Sequence, residues 1–217
     1  MLFSKTIATV MAGLAALIAA AAPAMAHPHV WVAARATVLF DKEGQITGVR
    51  HVWTFDEMYS AFATQGLGKD GKPPTREDLQ PLAKTNVDSL AEFDYFTFAR
   101  EAGKKLPFQE PSDFWLDADE KKIVSLHFTL LLKEPIAAKK AFSFQVYDPT
   151  YFVAFGFEKT DPISLKDAPG GCSASVMTPA PLLAAESQRL SAAAAENFSP
   201  GADLSSRLAP RVVVACP

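Results

Sequence analysis

Apolar and polar residues alternate along two segments near the start of the chain, with a short polar interruption between them. Residues 30–40 and 46–55 are rich in Val, Thr, Trp and Phe, and the tetrapeptide Asp-Lys-Glu-Gly at 41–44 separates them. Period-two alternation on both sides of a glycine-containing turn is typical of a β-hairpin. The pattern therefore predicts two antiparallel strands with Phe40 opposite Ile46.

The register of this hairpin determines which residues meet across it. The pairs that follow are Trp31 with Phe55, His29 with Glu57, and Arg35 with His51. At about 3.3 Å per residue, His51 would lie roughly 20 Å along the strand from His29. A straight hairpin therefore cannot bring these two imidazoles together.

Helical spacing replaces the alternation at about residue 56. Asp56 and Glu57 suit the first turn of a helix, and a polar loop rich in Gly and Pro follows at 66–74. Leucines and a valine recur on one face of residues 76–90, which predicts a second helix with Pro81 in about its first turn. Residues 56–90 are thus predicted to be a helical insertion between strands.

The rest of the chain returns mainly to β-type composition. The predicted strands are residues 93–99, 114–117, 123–132, 141–147, 151–157 and 211–215. Residues 159–171 are expected to be loop, and the alanine-rich residues 181–197 predict a C-terminal helix. The expected fold class is α+β, a mostly antiparallel β-sheet domain over residues 27–217 with a helical insertion and a C-terminal helix.

The first 26 residues have the pattern of a cleaved export signal. Lys5 precedes an apolar run at 7–22, and Ala24 and Ala26 are the small residues required at a cleavage site. The run is shorter than the roughly 20 residues of a membrane-spanning helix, and the mature chain contains no second run of this kind. We therefore expect a periplasmic protein, without a transmembrane segment, whose mature chain begins with His27.

Charge and cysteine content narrow the possible partners and the compartment. The net charge is −3 and basic residues do not cluster, which argues against a nucleic-acid partner. Cys172 and Cys216 are the two cysteines, and disulfides persist in exported proteins. We predict that they pair and stabilise the fold by about 4 kcal/mol. The alternative is two unpaired thiols.

The predicted mature terminus concentrates nitrogen donors. His27 and His29 offer two imidazoles beside the α-amino group that export would liberate, and these are ligands for a divalent transition metal. Pro28 has no amide proton, so the square-planar copper mode that uses a deprotonated second amide is blocked. The alternative is a frayed, solvated chain end.

Five further residues are candidates to complete a metal site. The acidic candidates are Asp56, Glu57 and Asp148, and the other histidines are His51 and His127. His51 and His127 each have a structural alternative, as histidines packed in strands. Asp148 precedes Pro149, so its carboxylate could instead cap a turn.

Motifs of the common enzyme classes are absent from the sequence. It contains no Gly-x-Ser-x-Gly elbow, P-loop, dinucleotide glycine fingerprint or HExxH motif. The cysteines are better explained as a bridge than as nucleophiles. An enzyme is therefore not the leading interpretation.

Three segments together resemble a bacterial family. They are His-Pro-His-Val-Trp-Val at 27–32, Val-Arg-His-Val-Trp-Thr-Phe-Asp-Glu at 49–57, and Tyr-Asp-Pro-Thr-Tyr-Phe at 147–152. They are similar to the uncharacterised family catalogued as "ABC-type transport system, periplasmic component", over essentially the whole mature chain. Members of that family are often encoded beside, or fused to, nickel/cobalt-type membrane transporters. The resemblance implies an accessory role in metal handling.

The leading hypothesis is a periplasmic protein that binds Ni, Co, Zn or Cu and assists an inner-membrane metal transporter. His27 and His29 would be its principal ligands. One alternative is an oxidative enzyme that holds copper in a terminal histidine clasp. The other is a structural interaction domain that binds no metal.

Overall fold

The computed structural model describes residues 28–68, 70–180 and 201–217. The predicted export signal at 1–26, His27 and the predicted helix at 181–197 lie outside the described residues. The predicted fold class is confirmed: the chain is α+β and mostly antiparallel, with a helical insertion after the first hairpin and a C-terminal helix. That described helix is Gly201–Leu208.

The described residues form eleven strands, three α-helices and one 3₁₀ segment. The strands are β1 (Val30–Phe40), β2 (Gln45–Phe55), β3 (Thr97–Glu101), β4 (Lys104–Leu106), β5 (Phe114–Ala118), β6 (Val124–Ala137), β7 (Phe142–Val146), β8 (Val153–Phe157), β9 (Ile163–Lys166), β10 (Ser173–Met177) and β11 (Arg211–Ala215). The helices are α1 (Glu57–Ala63), α2 (Arg76–Leu90) and α3 (Gly201–Leu208), and a 3₁₀ segment covers Ala91–Phe96. Among residues 28–68, 70–180 and 201–217, no helix has the length and apolarity needed to cross a membrane.

Two sheets enclose a common apolar core. The first has the order β5-β6-β2-β1-β8, with β9 also paired to β1, and the second has the order β10-β11-β7-β3-β4. All pairings are antiparallel except those of β1 with β8 and β9, which are parallel. β9 lies within residues 159–171, so the prediction of a loop there was wrong. Its alternating side chains pair with β1, a contact across more than 100 residues of sequence that no local pattern indicates.

A β-bulge changes the register of the first hairpin. Phe40 pairs with Ile46 as predicted, but Leu39 pairs with Gly48, so Thr47 is an extra residue on β2. Its hydroxyl donates to the Leu39 carbonyl at 3.2 Å. Beyond the bulge every predicted pair was therefore wrong by one residue, and His51 lies opposite Ala36. β2 also ends before Glu57, which begins α1 and has no strand partner.

Local capping explains where the insertion helices begin. Asp56 is the N-cap of α1, and its carboxylate accepts from the Tyr59 amide at 2.8 Å. Thr75 and Asp78 form a reciprocal capping box at the start of α2. Pro81 is the sixth residue of α2 and lies in its second turn, near the predicted position in about the first turn.

The predicted strand at 93–99 was wrong over its first half. Asp94, Tyr95 and Phe96 have positive φ values of 53°, 53° and 48°, which turn the chain sharply before β3 begins at Thr97. The turn buries Tyr95 and Phe96 and leaves Phe93 39% exposed. Burial of these aromatic rings outweighs the strand preference of the segment.

The predicted disulfide is confirmed. Cys172 and Cys216 are bonded, which joins the residue before β10 to the residue after β11. These two strands are antiparallel neighbours at one edge of the second sheet. The bridge therefore fastens the C-terminal strand to the body of the protein.

Candidate functional site

The start of β1 presents His29 on the protein surface. The His29 backbone amide donates to the Phe152 carbonyl at 2.9 Å, and its ring lies against the Phe152 ring with centroids 4.8 Å apart. The Val30 amide reaches the same carbonyl at 3.3 Å. We call the segment 28–31 with Phe152 the N-terminal tip. Its backbone is held against the 148–152 loop while the His29 side chain remains exposed.

Asp56 fixes the opposite side of the tip. One carboxylate oxygen accepts from the Trp31 amide at 2.7 Å, and the other caps α1 through Tyr59. The Asp56 amide in turn donates to the Trp31 carbonyl at 3.0 Å. Both oxygens of Asp56 thus bind the backbone, whereas Glu57 follows with an exposed side chain in the first turn of α1.

Asp148 is buried beneath the tip and organises the loop that contacts it. Its carboxylate accepts from the amide and hydroxyl of Thr150 at 2.7 to 2.9 Å, and from the amides of Phe152 and Val153 at 3.0 Å. Its residue is 3% exposed. This is the turn-capping role that Asp-Pro indicates in the sequence. Asp148 therefore acts on the tip by positioning Phe152.

His51 lies in the core between the two sheets. It is fully buried, stacks on Phe128 with ring centroids 5.0 Å apart, and its Nε2 is 3.2 Å from the Thr97 hydroxyl. Because the Thr97 hydroxyl donates to the Tyr95 carbonyl, we assign the donor role to Nε2–H of His51. Burial lowers the pKa of His51 from 6.5 to about 3, so the ring is neutral at physiological pH.

His127 lies on the outer face of β6, away from the core. Its ring stacks on Trp115 with centroids 4.7 Å apart and an angle of 8° between the planes. The Asp117 carboxylate is 3.2 Å from His127 Nε2 and also 3.2 Å from the Arg76 guanidinium, which itself lies over Trp115. His127 is thus part of a surface cluster that ties α2 to β5.

The candidate ligands therefore fall into separate places. His29 lies at the tip, Asp56 is hydrogen-bonded to the tip backbone, and Glu57 is the next residue in the chain. Asp148 holds the loop that contacts the tip, whereas His51 is in the core and His127 is on the outer face of the first sheet. Within residues 28–68, 70–180 and 201–217, no three His, Cys, Asp or Glu side chains converge as a metal site would require. His27 lies outside the described residues.

No sequence pattern predicts the second feature near the tip, an apolar cleft of about 280 Å³. It lies among β1, β2, β6, β8, α1, α2 and the 3₁₀ segment, so its lining comes from distant parts of the chain. The lining residues are Val30, Val32, Trp53, Phe55, Tyr59, Asn86, Ser89, Leu90, Phe93, Phe96, Leu126, Phe152, Val153 and Phe155. In the sequence, each of these reads as an ordinary core or helix-surface residue.

A family model described as "Protein of unknown function (DUF1007)" matches residues 12–216. The chain belongs to the DUF1007 family. The matched span covers the residues of both the tip and the cleft.

Two curated relatives are similar to this DUF1007 chain. An uncharacterized protein of Haemophilus influenzae is 24% identical over 158 residues, which cover 71% of this chain and 74% of the relative. An "Uncharacterized 15.5 kDa protein in trpE 3'region" of Spirochaeta aurantia is 30% identical over 107 residues, 49% of this chain and 76% of the relative. Neither relative's name states an activity.

Proposed function

We propose that this DUF1007 protein is a periplasmic accessory protein that binds a divalent transition metal at its N-terminal tip and assists an inner-membrane metal transporter. His27 and His29 are the principal ligands. The observation that carries the proposal is the exposed His29 imidazole on a backbone fixed from both sides, by Phe152 and by Asp56.

The surroundings of His29 favour ligand exchange. Its backbone is already ordered by hydrogen bonds, so metal binding there needs little further ordering of the protein. The side chain is at the surface, where a second protein can reach it. A cargo-passing protein needs this combination of a positioned donor and open access.

In this proposal, Asp148 and Asp56 hold the backbone of the tip in place and do not bind the metal. The carboxylate oxygens of Asp148 and Asp56 accept hydrogen bonds from backbone amides of the segments that form and hold the tip. Glu57 is the acidic group with an exposed side chain beside them, and we assign it as the completing oxygen ligand. Imidazole and carboxylate together suit Ni, Co and Zn.

An extracytoplasmic location agrees with this role. The bond between Cys172 and Cys216 fits an extracytoplasmic protein, because reducing cytoplasm does not favour such bridges. The resemblance of the tip and loop segments to a periplasmic transport component supports the same location and a membrane transporter as partner.

Calorimetric titration of the processed protein with Ni²⁺, Co²⁺, Zn²⁺ and Cu²⁺ tests the proposal. We expect binding of one metal per chain, lost in the His27→Ala/His29→Ala double variant. The matched control is His127→Ala, which removes an imidazole from the outer face of the first sheet and should leave the titration unchanged. Equal binding by the double variant and the wild type would exclude the tip as the metal site.

Metal affinity and stability of two single variants distinguish a metal ligand from a residue that only holds the tip in place. Glu57→Gln should weaken metal binding without changing thermal stability, because the side chain is exposed. Asp148→Asn should lower stability, because four donors lose part of their acceptor. If Glu57→Gln left the affinity unchanged, the completing ligand would have to be another group.

A further inference from the structure

The cleft beside the tip has walls suited to an apolar ligand. Its lining is mostly apolar and includes Val32, Phe55, Leu90, Phe93 and Phe155. None of its lining residues carries a carboxylate, a basic side chain or an imidazole. Its volume of about 280 Å³ is close to the lower end of small-molecule pockets, which begin at roughly 300 Å³.

Two polar groups of the lining lack the partners that buried donors normally have. Trp53 is 2% exposed, and its indole Nε1–H has no hydrogen-bond partner among the described residues. The Asn86 Nδ2 amide is likewise buried without a partner in the described part of the chain. Both nitrogens belong to residues that line the cleft, but the atoms themselves are enclosed, so an acceptor in the cleft reaches them only when neighbouring side chains shift. Buried donors are nearly always paired in folded proteins, so two such donors behind one cleft require an explanation.

The orientation of the Asn86 amide is fixed by a neighbour in the same wall. The Tyr59 hydroxyl donates to Asn86 Oδ1 at 3.3 Å. This hydrogen bond satisfies the amide oxygen, and the NH₂ group still lacks a partner among the described residues. Burial raises the pKa of Tyr59, which keeps the hydroxyl protonated and able to donate. Both remaining groups are therefore donors, and they call for an acceptor.

We propose that the cleft binds a small, neutral and largely apolar molecule whose carbonyl oxygen accepts a hydrogen bond from Trp53 or Asn86. The apolar lining selects the body of the ligand, and the two N–H groups select its acceptor. A carboxylate or phosphate is disfavoured, because no cationic side chain lines the cleft. This site is independent of the metal proposal, and neither depends on the other.

A matched pair of probes tests the acceptor. We would titrate the protein with 2-acetylnaphthalene and with 2-ethylnaphthalene, which have similar shape and differ by the carbonyl oxygen. Both should bind saturably, and the acetyl compound should bind about 3–10-fold more tightly, as expected for one added hydrogen bond to a neutral donor. Equal affinity of the two probes, or no saturable binding of either, would overturn the proposal.

The wild-type protein also gives a direct spectroscopic readout. The indole N–H resonance of Trp53 is identified in a ¹⁵N–¹H spectrum by its absence in Trp53→Phe. It should move downfield on addition of the acetyl probe and much less with the ethyl probe. An unmoved Trp53 resonance at saturation would exclude the indole as donor, and an unmoved Asn86 side-chain resonance as well would refute the site.

Paired surface variants of α2 locate the binding. Ser89 lines the cleft and its residue is exposed, so Ser89→Trp should block both probes without removing a core side chain. Thr85, one turn earlier, is also exposed and is not part of the lining, so Thr85→Trp is the matched control and should bind both probes as the wild type does. Binding retained by Ser89→Trp would mean that the probes bind elsewhere.

Discussion

Replacing His51 by Phe should remove much of the acid sensitivity of the fold. The His51 ring is fully buried between the sheets, and burial lowers its pKa to about 3. In the unfolded chain its pKa returns to about 6.5, so the unfolded state binds a proton that the native state does not. Stability therefore falls as the pH drops from 6.5 towards 3, and is fully present above 6.5.

The size of the effect follows from these two pKa values. Between pH 7.5 and 4.5 the difference in proton binding amounts to about 3 kcal/mol of unfolding free energy. In His51→Phe this contribution disappears. Phe keeps the ring stacking on Phe128, and the Thr97 hydroxyl still has the Tyr95 carbonyl as its acceptor.

Urea denaturation followed by tryptophan fluorescence at both pH values measures the effect. The wild type should lose about 3 kcal/mol more than His51→Phe over this range. His29→Ala is the control, and it should keep the wild-type loss because it leaves His51 in place. If wild type and His51→Phe lose stability in parallel, the buried neutral imidazole is not the source of the pH dependence.

Three other substitutions test separate features of the fold. Gly48→Ala should destabilise by about 2 kcal/mol, because a Cβ would overlap the Leu130 carbonyl oxygen of β6. Gly156→Ala, in open space in the same sheet, is its control, and equal melting temperatures would refute the close approach. Asp148→Asn should cost about 2 kcal/mol by chemical denaturation, since an amide group replaces one acceptor oxygen, whereas the exposed Asp161→Asn should cost nearly nothing. Cys172→Ser/Cys216→Ser should lower the unfolding free energy by about 4 kcal/mol, and the same loss should follow reduction of the wild type; a loss below 1 kcal/mol would contradict the loop-closure explanation.

Features encoded by short stretches of sequence were predictable. The first hairpin, the bounds of α2 and the last strand agree closely with the alternation and capping residues of their own segments. The extra residue at Thr47 was not, because a bulge depends on how β2 fits both β1 and β6. The pairing of β1 with β8 and β9 was also missed, since it joins distant segments.

In the candidate site, too, features encoded locally were predictable and features that depend on the assembled fold were not. His29 can be found from its position after a predicted cleavage signal, and the turn role of Asp148 from the proline that follows it. Whether His51 faced the core depended on the register, which the bulge changed. The cleft forms only when seven elements come together, and its unpaired Trp53 donor is a property of the assembled structure alone.

The position of β1 inside its sheet has a consequence for biogenesis. β1 and β2 emerge together, but the other flank of β1 waits for β8, which begins about 110 residues later. A chain synthesised from its N-terminus exposes that flank until most of its length has emerged. Truncated or stalled chains would carry an unpaired strand edge that can pair with another chain. This topology therefore requires that incomplete chains be bound by a chaperone or degraded rapidly.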